Sequence, residues 1–154
     1  MYSTFITRAL VALSLGAALA SADVTASDLK TVGGQICRTE YDSTANEFTE
    51  YYGIVVQHPN AVVFCPLIRD FVTRPIEEVS LRVFNFGPKA AGCRLYSIDP
   101  LVADADSETV NVAVGQHTID FDPSILTHYD YGYYVIGCHF PNGGIIYGIR
   151  YWEP

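Results

Sequence analysis

A chain of 154 residues with nine basic and seventeen acidic side chains carries a formal charge of −8 at neutral pH. So acidic a surface repels phosphate backbones and anionic lipid, which argues against nucleic acid or a membrane surface as partner. The length suits one domain with a core of its own, so disulfides would reinforce the fold and need not create it.

The chain opens with the layout of a secretory signal peptide. "MYSTFITRALVALSLGAALASADV" has a single charge, Arg8, before an apolar run that starts at Ala9. A-x-A signals follow at Ala18-Leu19-Ala20 and Ala20-Ser21-Ala22. The apolar run is about eleven residues, short of the roughly 20 that a spanning helix needs. Cleavage before Asp23 is therefore expected, which separates a leader at 1–22 from a domain at 23–154. No later stretch is long enough to cross a bilayer, so the expected location is secreted or periplasmic.

After a polar lead ("DVTASDLKTVGGQ"), the chain breaks into short β-branched and aromatic runs. These predict strands at 51–57, 61–65, 78–86, 92–98, 109–114, 117–122, 131–140 and 144–152. Turn residues lie between them: "HPN", "GPKAAG", "DPLVADADS", "GQ", "DPSILTH" and "PNGG". Seven or eight short strands at such regular spacing, with almost no helical periodicity, predict an all-β, antiparallel β-sandwich, with a barrel as the alternative. "PNGG" reads as a tight hairpin, because Asn-Gly readily takes positive φ angles.

Four cysteines follow the leader: Cys37, Cys65, Cys93 and Cys138. An even number in an exported chain predicts two disulfides, and no C-x-x-C or H-x(3–5)-H pair offers a zinc knuckle. Alternation places Val79, Leu81 and Val83 on one face of their strand, opposite Ser80 and Arg82. By the same rule Cys93 joins Leu95, and Cys138 joins Tyr134 and Ile136, on apolar faces. That favours Cys93–Cys138 and leaves Cys37–Cys65, each worth roughly 3–4 kcal/mol if loop closure dominates.

The run "AVVFCPLIRD…VSLRVFNF…GCRLYSI…YGYYVIGCHFP…GIIYGIRYWEP" resembles a group of small, uncharacterised exported bacterial proteins. They share an early cysteine, a C-P-L-x-R segment, a C-x-L strand and a Y-x-V-x-C-x-(L/F)-P strand. The resemblance implies a β-sandwich with two disulfides in the bacterial envelope or medium, and it brings no catalytic residues with it.

Enzymatic chemistry has little to build on. There is no G-x-S-x-G turn and no cofactor motif, and the four histidines (His58, His117, His128, His139) read as turn or surface residues. Glu77 and Glu78 would point to opposite faces of an extended segment, a poor geometry for paired carboxylates. Asp104, Asp106 and Glu108 alternate, so three hard oxygen ligands could converge on calcium, although the full EF-hand loop is missing. Arg69 is expected to fix the loop after Pro66 by pairing with a carboxylate such as Asp99 or Asp120.

The aromatic content is the strongest functional signal. Tyr129, Tyr131, Tyr133 and His139 fall at alternate positions, and Tyr147 and Tyr151 should share a face of the next strand. If the "PNGG" hairpin laid these strands side by side, the six residues would form one platform for a sugar or a protein. The expectation is a non-enzymatic binding module recognising a glycan or protein. The alternative is a structural or assembly protein that self-associates through that face or a sheet edge.

Overall fold

The computed structural model describes residues 28–39, 46–49, 53–57, 59–70 and 73–154. The expected signal peptide lies outside the described residues. Among these residues no helix is long and apolar enough to cross a membrane.

Among the described residues eleven strands form two antiparallel sheets. They are β1 (Asp28–Gly33), β2 (Arg38–Thr39), β3 (Asn46–Thr49), β4 (Gly53–Val56), β5 (Ala61–Leu67) and β6 (Val79–Asn85), followed by β7 (Ala91–Asp99), β8 (Asp104–Val112), β9 (Gly115–Phe121), β10 (Tyr133–Phe140) and β11 (Gly144–Glu153). One sheet has the order β3-β4-β11-β6-β9, and β1 also pairs with β11; the other has the order β2-β5-β10-β7-β8. The expected sandwich is therefore the fold. Three strands exceed the prediction, and all lie in polar sequence before residue 50, where β-propensity is weak and pairing to a neighbour decides.

Alternation fills the space between the sheets. Leu81 and Val83 of β6, Leu95 of β7, Ile136 and Phe140 of β10 and Ile146 of β11 are fully buried. Each such side chain contributes roughly 1.5–3 kcal/mol on leaving water. Cys93 and Cys138 face each other in register across β7 and β10 and are disulfide-bonded. Cys37 and Cys65 form the second bridge, tying the passage from β1 to β2 onto β5. Both pairings are those expected, the first from the strand faces and the second as the remaining pair. Pro66 lies within β5, in register with Val135, where β2 has already stopped pairing at Phe64. Its missing N–H therefore costs no ladder bond.

Two expectations fail, both around β11. "PNGG" is not a hairpin: β10 and β11 belong to different sheets, so the turn arches across the sandwich. A tight Asn-Gly turn needs positive φ at both residues, yet of these two only Gly143 (φ 84°) has it. Gly144 then packs so tightly that a Cβ there would lie 2.4 Å from the Phe140 ring.

The second failure is a β-bulge. Ile146 pairs with Val83 and Gly148 with Arg82, so Tyr147 is an inserted residue. Past it the alternation changes phase: Ile149 and Tyr151 point inward, whereas a regular strand would have put them on the same face as Tyr147. The bulge sits where β4 ends and β1 begins along the same edge of β11. A Cβ on either Gly34 or Gly53 would come within 2.0 Å of the Ile146 carbonyl oxygen.

Gly53 also has φ 88°, so Gly53→Ala meets both a backbone clash and a left-handed conformation. It should cost on the order of 2–3 kcal/mol. Gly92→Ala, where a Cβ meets nothing within 4 Å, should leave the melting temperature unchanged or slightly raised. Thermal melts of the two variants check the assignment, and equal melting would contradict it.

Candidate functional site

The six residues expected to form one aromatic platform are divided among four environments. Tyr133 and His139 lie on the outer face of the β10 sheet, and Tyr133 is 45% exposed. Tyr131 stands in the turn before β10 with φ 61°, and Tyr129 donates its hydroxyl to Asp104 at 3.0 Å. Tyr147 projects from the opposite side of the sandwich, on the outer face of the β11 sheet. Tyr151 is fully buried and donates to the Ile68 carbonyl at 2.5 Å; burial pushes its phenol up. The arch and the bulge together account for this dispersal.

The three acidic residues expected to converge on calcium instead hold a loop. Asp106 accepts from the Thr127 amide (2.9 Å), the Thr127 hydroxyl (3.1 Å) and the Ser107 amide (2.8 Å). Glu108 accepts from the Asp122 amide at 2.7 Å, and Asp104 takes the Tyr129 hydroxyl. The segment read as an acidic loop is the start of edge strand β8, and its carboxylates pin the connection between β9 and β10. Among the described residues no group of three metal-ligating side chains is assembled.

Arg69 fixes its loop as expected, and two backbone carbonyls accept from it. It donates to the Gly132 carbonyl at 2.9 Å and to the Arg74 carbonyl, and its guanidinium lies 5.3 Å from the centre of the Tyr134 ring. Asp99 and Asp120 have other partners: the Leu101 amide and the Ser80 hydroxyl. The ionic contact near this loop belongs to Lys30, whose ammonium bridges Asp70 and the buried Glu153, each at 2.8 Å. Burial disfavours that ammonium, but hydrogen bonds to Asp70 and Glu153 outweigh it and raise the Lys30 pKa.

Two outer faces remain open to a ligand. On the β10 sheet a hollow of about 320 Å³ is lined by Val62, Phe64, Arg94, Tyr96, Thr109 and His139 over Gly92 and Gly137. The Tyr96 and Phe64 rings already crowd Gly137, and a Cβ there would lie 3.1 and 3.2 Å from them. On the β11 sheet a hollow of about 520 Å³ is formed by Thr31, Ser80, Arg82, Thr118, Tyr147 and Arg150 above Gly148 and Ile149. Around Gly148 the nearest atoms are backbone atoms of Val32 and Gly33. An adjoining hollow of about 600 Å³ shares Ser80 and Arg150 and adds Glu77, Glu78, Asp120 and Asp122. Glu77 and Glu78, expected to point apart, both line it.

Ser80 and Arg82 of this trough are held in place. Ser80 donates to Asp120 at 2.6 Å. The Arg82 guanidinium lies 5.3 Å from the Tyr147 ring centre. With the Gln116 amide in the orientation that satisfies both partners, its oxygen accepts from Nε and Nη2 of Arg82 at 3.1 and 2.7 Å. Sequence alternation already put Ser80 and Arg82 on the outward face of β6. It could not show that Arg150, Thr31 and Thr118 come alongside, because that needs the strand order.

A two-sheet antiparallel sandwich with a polar and aromatic trough on one open face is the class that the fold defines. No protein-family model and no curated protein matches the sequence. Among solved structures the fold is shared with the CBM36-1 domain of a multidomain xylanase from the hindgut metagenome of Trinervitermes trinervoides. That domain is 10% identical, with a TM-score of 0.54 over 82% of this chain and 98% of its own. The low-affinity xylan-binding module CBM86 of Roseburia intestinalis is also 10% identical, with a TM-score of 0.54 over 82% and 96%. The xylan-binding module CBM15 is 6% identical, with a TM-score of 0.54 over 81% and 95%.

The hydrogen bonds from the Thr127 amide, the Ser107 amide and the Thr127 hydroxyl hold the Asp106 carboxyl below the usual range. A depressed carboxylate stabilises the fold above its unfolded pKa, near 3.9, and that contribution is lost as pH falls through the folded value. Asp106→Asn should lower the melting temperature at neutral pH, and the gap from wild type should narrow in acid. Calcium should not shift either midpoint. A calcium-dependent rise in the wild type alone would restore the metal reading.

Proposed function

We propose that this protein is a non-enzymatic glycan-binding module of the extracellular or periplasmic space, and that the trough on the β11 sheet is its binding face. The observation that carries this reading is the trough's composition. An aromatic ring, hydroxyls and guanidiniums stand together on paired strands, above backbone that no side chain fills. Sugars present both an apolar ring face and a rim of hydroxyls, and such a surface meets both. A hollow of about 520 Å³ falls within the range of small-ligand sites.

Two further features support it. The three solved structures cited above share the fold, and all carry xylan in their descriptions: two are xylan-binding modules and one is a domain of a xylanase. The two disulfides suit an oxidising compartment, in keeping with the signal peptide read from residues 1–22.

A second reading, self-association, draws on the other outer face. Phe64 and Tyr133 are 37% and 45% exposed there, beside the partly covered Val62, Val135 and Ile98. Such a strip suits a second copy of the chain better than a sheet edge does, because edge strand β8 begins with Asp104, Asp106 and Glu108, charges that oppose edge pairing.

Affinity electrophoresis against a panel of plant and microbial polysaccharides separates the two readings. Tyr147→Ala should weaken glycan binding roughly tenfold, about 1.4 kcal/mol, while Tyr133→Ala should leave it unchanged. If Tyr133→Ala alone abolishes binding, the site moves to the β10 face. If the wild type binds no glycan and sediments as a dimer that Phe64→Ser dissociates, self-association replaces recognition.

A further inference from the structure

Among the described residues, Arg82 and Arg150 are the only charged side chains in the 520 Å³ hollow. They sit on adjacent strands of the same outer face, with Arg82 in register with Gly148 and Arg150 with Ser80. Among the described residues neither is ion-paired with a carboxylate.

Arg82 is oriented but not neutralised. Gln116 takes its Nε and Nη2 protons, and the Tyr147 ring lies against the guanidinium. Both contacts come from uncharged groups, so the cation keeps its full charge and its Nη1 donors stay open. Other arginines donate to the protein's own groups: Arg38, Arg69 and Arg74 to carbonyls, Arg94 to the Thr109 hydroxyl. A planar guanidinium fixed in this way is suited to a carboxylate or sulfate, whose paired oxygens match its fork. Arg150 supplies a second cation to the same hollow.

Resting on the glycan reading above, we infer that the ligand is an anionic polysaccharide. The acid group of one sugar residue sits between Arg82 and Arg150, and its ring lies beside Tyr147. The protein's overall negative charge sets a limit on this. Beyond roughly 8 Å at physiological salt its acidic residues are screened, so the arginine pair acts on one acid group and not along a whole polyanion. The neighbouring hollow, with Glu77, Glu78, Asp120 and Asp122, repels a second acid group. A polymer with acid groups spaced along a mostly neutral chain therefore fits better than one charged at every residue.

The test uses the full-length protein and matched polymer pairs: glucuronoxylan and polygalacturonate with their carboxyl-reduced forms, and a sulfated galactan with its desulfated form. The expected result is that one charged polymer binds at least about tenfold more tightly than its neutral partner. Arg150→Gln and Arg82→Gln should each remove that difference, read as the ratio of charged to neutral affinity within the same variant. Which pair shows the difference decides between carboxylate and sulfate. Equal binding within every pair overturns the anionic assignment and leaves the glycan reading standing. A preference that survives both substitutions overturns its placement in the trough. Absence of binding to every polymer, neutral ones included, overturns the glycan reading and this inference together.

Discussion

The fold turns on the carbonyl oxygen of Ile146. Strand β11 pairs with β6 along one edge, and the other edge is divided between β4 and β1. At the junction the chain needs an irregularity, and it takes the form of a bulge at Tyr147. Gly34 and Gly53 approach the Ile146 carbonyl more closely than any side chain could. Those two glycines are far apart in sequence and have no other shared reason to be small. The bulge is thus built from three segments at once. It also sets the orientation of everything after it: Tyr151 enters the core, Glu153 reaches Lys30, and Arg150 is left facing solvent.

Charge is distributed with the same economy. Acidic side chains on β8 accept backbone amides from the β9–β10 connection, using a carboxylate's capacity for several donors to hold that loop. Arg69 does the reverse and gathers carbonyls from two segments over the Tyr134 ring. Lys30 closes the C-terminal strand against the loop after β5 through Asp70 and Glu153. Glu153 is nearly fully buried, and a buried carboxylate would be costly without the ammonium and the Asp70 amide beside it. Among the described residues the arginine pair on the β11 face has no carboxylate partner of this kind.

Much of the architecture was legible in the sequence because it depends on alternation within single strands. Cys93 and Cys138 fall on apolar faces by parity, and their pairing followed. The sandwich followed from strand spacing. What parity cannot see is an inserted residue: Tyr147 and Tyr151 are four apart, and only the bulge puts them on opposite faces. Nor can it see which sheet a strand joins. "PNGG" has hairpin chemistry, yet β10 and β11 each find better partners elsewhere, and the turn accommodates the arch through Gly143 and Gly144. The acidic segment before Thr109 looked like a loop because its residues are poor strand formers, but β7 supplies a full ladder of partners. The candidate site suffered most, since it needs residues from β1, β6, β9 and β11, which only the sheet order brings together.

The two outer faces then differ in how they treat a glycine at their centre. On the β10 sheet Gly137 is roofed by Phe64 and Tyr96, whose rings occupy the space that its missing side chain leaves. That arrangement stabilises the strand pair and makes the face largely self-sufficient. On the β11 sheet Gly148 faces Arg82, and the atoms nearest to it belong to the neighbouring backbone. The Arg82 guanidinium is held by Gln116 and lies 5.3 Å from the Tyr147 ring centre. Both partners come from positions that parity sends outward, so the gap is maintained by side chains on rigid strands and not by a mobile loop. A space held open in this way loses little conformational entropy when something fills it, which is the physical requirement for a preformed receptor face.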